Sequence, residues 1–409
     1  MTSPEQVDVA IVGGGPAGAS LAARLAAAGR EVVVVERSTA WRWRACGVFA
    51  SPATLAVLRR TGLDEPTIRA VARPVPAMRV ETPSGTSFRL TYGADEGGEP
   101  AVGFDRSRLD PALLQLARNR CAEVRTGSQA TSVDLPRGEL VIRSPDGTTG
   151  LVRASVIVGA DGLRSIVARS SGVARSARLG ARVGLTYHLD DVDDPGMGDA
   201  RMCVIRDGYI GVAPVPGSRV NIGIVLGGSW RDRLERLGAQ ALAPSLVRSI
   251  APIEGDLAAW RFGQPSDSIA GASPLGHRVT RRAATTGPHG QGWILIGDAA
   301  GFLDPFTGEG LHRALISAEL AGEALMRDEI QRTSALATYD RQMRQRFLAK
   351  DAVSWLVQAF LARPRLFEYA ARRVASRASV RATMGLVMGD LQPASRALDP
   401  RYLAALLAP

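Results

Sequence analysis

Lysine is almost missing from this chain. Of its 50 basic residues among 409, only Lys350 is a lysine and the other 49 are arginine, a bias that reads as the nucleotide composition of a genome. The arginines are scattered, and aromatic residues are only 5% of the chain. A nucleic-acid surface needs a dense basic run interleaved with stacking rings, so that class is excluded. The net charge of +10 is read as a solvated basic surface. Such a surface can attract an anionic cofactor, an acidic carrier protein or an anionic membrane surface. Cysteine is scarce too: Cys46, Cys121 and Cys203 lie far apart and form neither a disulfide framework nor a C-x-x-C pair. The four histidines, His188, His277, His289 and His312, make no H-E-x-x-H pattern, so no metal site is expected. No apolar run approaches the length of a bilayer span. Met1 to Gln6 is too short and polar for a secretion signal. A reducing cytoplasm is the expected compartment.

What is there is a chain long enough for two domains, 45% hydrophobic and 22% charged. Val7 to Val12 is a short apolar run ended by glycines, Pro16 to Gly29 an alanine-rich helix, and Val32 to Glu36 a second apolar run. Strand, glycine turn, helix and strand within about thirty residues is a βαβ unit, which opens a parallel sheet. Between 71 and 100 the texture alternates, and Met78 to Thr82 and Ser87 to Thr91 read as a hairpin around Pro83-Ser84-Gly85. Asp110-Pro111 reads as the opening of a helix. Val156 to Gly159 and Trp293 to Ile296 return to the parallel style. From 181 to 274 strands dominate, including Tyr209 to Val215 and Val220 to Leu226, and from 331 to 409 the pattern is helical. The expected fold is α/β, or α+β overall. It comprises a discontinuous Rossmann-like domain (1–70, 101–180 and 275–330), an inserted antiparallel β-sheet substrate domain (71–100 and 181–274) and a helical C-terminal region (331–409).

Gly13, Gly15 and Gly18 form G-x-G-x-x-G directly after the first strand. The first glycine permits the tight turn, the second lets the backbone approach a pyrophosphate, and the third lets helix and strand pack closely. The helix that follows offers free N–H groups and a positive dipole to phosphate. Glu36 ends the second strand, where an acid can accept hydrogen bonds from an adenosine ribose. The glycines alone do not separate NAD from FAD. Two later segments do: Asp161-Gly162 ends one strand, and Gly297-Asp298 ends another before a long helix. An acid there can hold a polyol hydroxyl, and a helix N-terminus can face an electron-rich ring.

On these residues the chain resembles the flavoprotein superfamily of para-hydroxybenzoate hydroxylase, and within it the geranylgeranyl reductase branch. The resemblance implies a FAD site made by Gly13, Gly15, Gly18, Glu36 and Arg37. To these it adds Arg106, from a segment similar to R-x-x-L-D, together with Asp161, Gly162 and Asp298. Asp304-Pro305-Phe306-Thr307-Gly308-Glu309-Gly310 is similar to the D-P-x-T-G-E-G stretch of the reductases, which places Pro305, Gly308, Glu309 and Gly310 beside the isoalloxazine ring. Arg44 and Cys46 fall in a segment similar to the reductases' C-G-G, where Val48 replaces the second glycine. Tyr209 belongs to a stretch similar to Y-x-W-x-F-P, but Gly211 and Ala213 replace its two large aromatics. Cys46 and Tyr209 are the candidate catalytic residues. Cys46 otherwise reads as a small buried hydrophobe, Tyr209 as core, and Arg44 as a clamp for pyrophosphate or an anionic substrate.

The resemblance leaves several chemistries. Because the substrate-side motifs have decayed and the FAD motifs have not, the expectation is a monooxygenase using NAD(P)H and O2 on a hydrophobic or aromatic small molecule. With no second glycine motif, the nicotinamide would bind transiently, or a reductase partner would supply the electrons. The alternative is a flavin-dependent reductase of an alkene in a prenyl or polyene chain, which Asp304 to Gly310 favours. Halogenation is disfavoured, because that branch needs a lysine near the substrate and only Lys350 exists. More remote is an electron-transfer flavoprotein, which lacks its iron–sulphur cysteines here. The aspartates at 161 and 298 argue against an NAD dehydrogenase built on the first βαβ unit alone.

Overall fold

The structure is a computed structural model. It describes residues 4–41, 48–94, 97–176, 182–190, 198–250, 268–287, 291–326 and 332–408. It is a mixed α/β protein with two large sheets and a helical C-terminal region.

The first sheet has eight strands. Along its path lie Ala283–Thr286, Gln291–Leu295, Thr149–Gly159, Glu5–Val12, Val32–Glu36 and Glu123–Thr126, with Gln129–Asp134 and Glu139–Arg143 folded back on Thr149–Gly159. From Gln291–Leu295 to Glu123–Thr126 all pairings are parallel. Val9 to Val12 and Val32 to Val35 are at most 5% exposed, which is why both read as continuous apolar runs: helices cover both faces of a parallel sheet. Helix Pro16–Ala27 packs against helices Arg106–Asn119 and Gly310–Leu325.

The second sheet has seven strands, in the order Ala270–Leu275, Arg182–Asp190, Arg219–Leu226, Gly208–Val215, Ala200–Ile205, Met78–Glu81 and Ser87–Leu90. Its pairings are antiparallel except the one between Ala200–Ile205 and Met78–Glu81. One face buries Ile210, Ile222 and Ile224 beneath Leu242 and Leu246 of helix Trp230–Ile250, which kinks at Gly238. The other face gathers Met78, Val80 and Met202 beside Phe367 and Met384 of the C-terminal helices. A small sheet of Phe49–Ala50, Ala101–Phe104 and Ala72–Val75 lies alongside. There Gly103 is obligatory, because a Cβ would sit 1.9 Å from the Pro214 carbonyl oxygen.

Two expectations are corrected. The helix read as opening at Asp110-Pro111 begins five residues earlier, as Arg106–Asn119. Asp105 caps it by accepting from the Ser107 N–H at 3.0 Å, and Pro111 lies inside. Asp110 is unavailable as a cap because its carboxylate is engaged by Arg106. Helix Trp230–Ile250 interrupts a region read as strands.

Candidate flavin and substrate site

The glycine loop is built as its spacing requires. Gly13 has φ +106°, and a Cβ there would lie 2.5 Å from the Ala160 carbonyl oxygen. A Cβ on Gly18 would lie 2.0 Å from the Gly13 carbonyl oxygen. Gly15 differs: it caps helix Pro16–Ala27 in an extended conformation, and a Cβ there would meet nothing within 4 Å. The open space before a helix N-terminus is where a pyrophosphate binds. The buried Glu36 carboxylate accepts from the Gly14 N–H at 2.8 Å and the Ser38 N–H at 2.9 Å, which fixes it at the end of its strand. A cavity of about 490 Å³ opens between Gly14, Gly15, Glu36, Ser38, Asp110 and Leu114. Arg37, next to Glu36, is exposed.

Two further acids stand at strand ends of the same sheet. Asp161 uses Oδ2 to accept from the Ile166 N–H at 2.7 Å, while its buried Oδ1 has no partner. Burial pushes its pKa up. Gly162 adopts φ +76° and begins the turn that follows. Burial also pushes the Asp298 carboxyl up, to about 6, against the opposing pull of Arg106 and Arg313. Arg106 is 7% exposed and held bidentate by Asp110 at 2.6 and 2.9 Å, which presents its charge toward Asp298. An open phosphate-sized space, a carboxylate at the ribose position, an orphaned buried carboxylate oxygen and a second, half-buried carboxylate within the influence of an arginine fit FAD. Glu36 would hold its adenosine ribose, the Gly13–Gly18 loop its pyrophosphate and Asp298 its ribityl chain.

The segment from Asp304 to Gly310 is fixed from several sides. Asp304 accepts from the Tyr209 hydroxyl at 2.6 Å, from Arg182 at 2.9 Å and from the Phe306 N–H at 3.0 Å. The Tyr209 ring meets Phe306 edge-on at 5.0 Å. Arg182 also bonds Gln358 of helix Arg332–Leu361. Three separated parts of the chain thus converge on one turn. Pro305 opens the turn and Gly308 closes it with φ +69°, where a Cβ would strike Phe49 at 2.8 Å. Glu309 caps helix Gly310–Leu325 and is 9% exposed. Burial raises its pKa, while Lys350, 3.5 Å away, opposes the rise. Lys350 itself is 5% exposed and bonds Asp390 at 2.8 Å and the Val387 carbonyl at 2.7 Å. His312, on the same helix as Gly310, is buried with Nδ1 unpartnered, and burial lowers its pKa.

Beyond the turn lies an apolar chamber of about 120 Å³. The second sheet contributes Met78 and Met202 to it, the turn contributes Phe306 and Thr307, and the C-terminal helices contribute Phe367 and Met384. Among the described residues no carboxylate, amine or guanidinium lines it.

The structure therefore brings together Gly13, Gly15, Gly18, Glu36, Arg106, Asp161, Gly162 and Asp298 around one sheet edge, with Pro305, Gly308, Glu309 and Gly310 on the turn. Arg44 and Cys46 lie outside the described residues. Tyr209 is 4% exposed, and its hydroxyl is committed to Asp304. Arg182 and Asp390 escape sequence reasoning, and Lys350 stands out there only as the one lysine, because each gains its role here only through partners distant in the chain.

This fold and site define a FAD-dependent oxidoreductase. The family model for the FAD binding domain matches residues 6–352, and the chain belongs to that family. It is 30% identical over 341 residues to the menaquinone reductase of Mycobacterium tuberculosis, covering 80% of this chain and 78% of that one. It is 28% identical over 353 residues to the digeranylgeranylglycerophospholipid reductase of Methanoculleus marisnigri, covering 82% and 81%. Among solved structures it is similar to a geranylgeranyl bacteriochlorophyll reductase-like protein of Thermoplasma acidophilum, with a TM-score of 0.75, 23% identity, and coverage of 97% of this chain and 100% of that one. Among the described residues no helix is long and apolar enough to cross a membrane.

Proposed function

We propose that this oxidoreductase reduces a carbon–carbon double bond in a long, prenyl-type substrate, with NADH or NADPH as the electron source. The alternative stated from the sequence is thus preferred over monooxygenation. The observation that carries this reading is the chamber, whose walls, among the described residues, are apolar apart from the hydroxyls of Tyr92, Thr307 and Tyr402 and hold no carboxylate, imidazole, amine or guanidinium. Aromatic hydroxylation is helped by a base that takes the proton of a phenol, and among the described residues the chamber offers hydroxyls but no carboxylate or imidazole for that task. A hydrocarbon chain instead gains from every apolar surface it covers, at about 25 cal/mol per Å². The two reductase relatives are named for quinone and digeranylgeranyl substrates, which supports the same choice.

Bound FAD would supply the two-electron donor. The residues of this chain do the rest. Asp304, clamped by Tyr209, Arg182 and the Phe306 amide, holds the turn that borders both the cofactor and the chamber. Phe306 and the methionines of the chamber exclude water, which strengthens every polar interaction at its edge. Asp298 and Arg106 would hold the cofactor's middle through charge and hydrogen bonding. The test is product analysis after incubating the FAD-loaded protein with NADPH and geranylgeraniol. A product heavier by two hydrogens, formed with or without air, supports the reading. A product heavier by one oxygen, formed only in air, overturns it in favour of the monooxygenase.

A further inference from the structure

The chamber carries a few polar groups among its apolar walls. Three residues lining it carry hydroxyls: Thr307, Tyr402 and Tyr92. Thr307 sits on the turn two residues before Glu309, and the Tyr402 hydroxyl donates to the Val380 carbonyl at 3.4 Å. The Tyr92 hydroxyl makes no hydrogen bond to a described residue, and although the residue is only 5% exposed, its oxygen is not fully enclosed. Tyr92 also has φ +53°, a left-handed conformation that bulky residues avoid. Such strain persists only where the surroundings impose it, and it concentrates at functional positions.

The surroundings here are specific. Helix Ala378–Met388 and its C-cap present glycines rather than side chains to Tyr92. A Cβ on Gly385 would lie 3.4 Å from the Tyr92 nitrogen, and one on Gly389 would lie 3.3 Å from the Tyr92 Cβ. The ring centroid stands 5.7 Å from that of Phe49, which itself touches the cofactor-side turn at Gly308. Backbone strain, two glycines and an aromatic neighbour together set a phenol in an apolar chamber with its hydrogen-bonding capacity unspent.

We propose that Tyr92 is a substrate subsite, whose hydroxyl donates a hydrogen bond to an oxygen on the prenyl substrate (a quinone carbonyl, alcohol or ether). The chamber then selects oxygen-bearing polyprenyl molecules over bare hydrocarbons of the same length. The inference rests on the chamber being the substrate site, as in the proposed function, but not on the reaction carried out there.

The test is binding, measured by calorimetry on the FAD-loaded protein, of geranylgeraniol and of the matching hydrocarbon without its hydroxyl. Wild type is expected to bind the alcohol about tenfold more tightly, the worth of one buried hydrogen bond. Tyr92→Phe should bring the two ligands to parity by weakening the alcohol alone. Gly389→Ala, which crowds the ring without removing the hydroxyl, should erode the same preference and covers the case in which Tyr92→Phe fails to fold. A preference that persists unchanged in both variants, or that is absent from wild type, overturns the proposal. If the preference follows Tyr92 but neither ligand is ever reduced, the subsite stands and the reductase reading falls. If reduction proceeds with no preference at all, the reverse holds.

Discussion

Replacing Gly15 with alanine separates a cofactor cradle from a mere turn. In the ligand-free protein the new methyl would meet nothing within 4 Å, and Gly15 has φ −69° and ψ −179°, which alanine adopts without strain. The folded protein should therefore keep its stability or gain up to about 1 kcal/mol, as glycine-to-alanine changes do at permissive positions. The same methyl would occupy the space that a pyrophosphate needs beside the helix N-terminus. Losing one or two hydrogen bonds to a charged group costs about 1.5–3 kcal/mol each. FAD affinity should fall at least about tenfold, and on the order of a hundredfold or more if both bonds go. Gly18→Ala is the contrasting control. Its Cβ would lie 2.0 Å from the Gly13 carbonyl oxygen, so the apoprotein itself should lose about 3 kcal/mol or more to overpacking. The assay is FAD titration of each apoprotein by flavin fluorescence, alongside thermal melting without cofactor. Should Gly15→Ala bind FAD like wild type, or melt as early as Gly18→Ala, the open space at Gly15 is not a phosphate site.

Other perturbations follow from the same geometry. Tyr209→Phe removes one of three hydrogen bonds to Asp304 and should cost about 1 kcal/mol; it should lower turnover more than substrate affinity, as a kcat and KM comparison will tell. Lys350→Met strands the buried Asp390 carboxylate and its neighbour Glu309 and should destabilise by about 3–5 kcal/mol in urea unfolding. The Asp298 carboxyl has a folded-state pKa of about 6, above the ordinary 3.8, so the native state holds the proton more tightly than the unfolded chain. Its contribution is full below pH 3.8 and is lost as pH rises through about 6. Discounted for partial exposure, the change should be about 1–2 kcal/mol, and Asp298→Asn should flatten that part of the apoprotein's profile.

The cofactor half of this protein was legible because its chemistry is local. Gly13, Gly15, Gly18 and Glu36 lie within 24 residues, and each has a backbone reason to be what it is. Asp161 and Asp298 were legible through the apolar strands before them. Helix Arg106–Asn119 was misjudged at its start because two aspartates competed as caps, and only the fold reveals that Asp110 is engaged by Arg106. Helix Trp230–Ile250 was hidden by Gly238 and Pro244, which break its periodicity. The chamber could not be read at all, since its walls come from Met78, Met202, Phe306 and helical residues from Val353 onward, far apart in the chain. Tyr209 was singled out by motif, yet its hydroxyl serves Asp304. Tyr92 drew no attention, because neither a lack of partners nor a positive φ is visible in a row of letters.

The central claim is most directly tested by reducing the bound flavin without air, adding geranylgeraniol, and following the return of the oxidised flavin spectrum. The account predicts that the flavin is reoxidised by the substrate alone, in step with the loss of one double bond. A flavin that stays reduced until oxygen is admitted, and then yields a hydroxylated product, would contradict it.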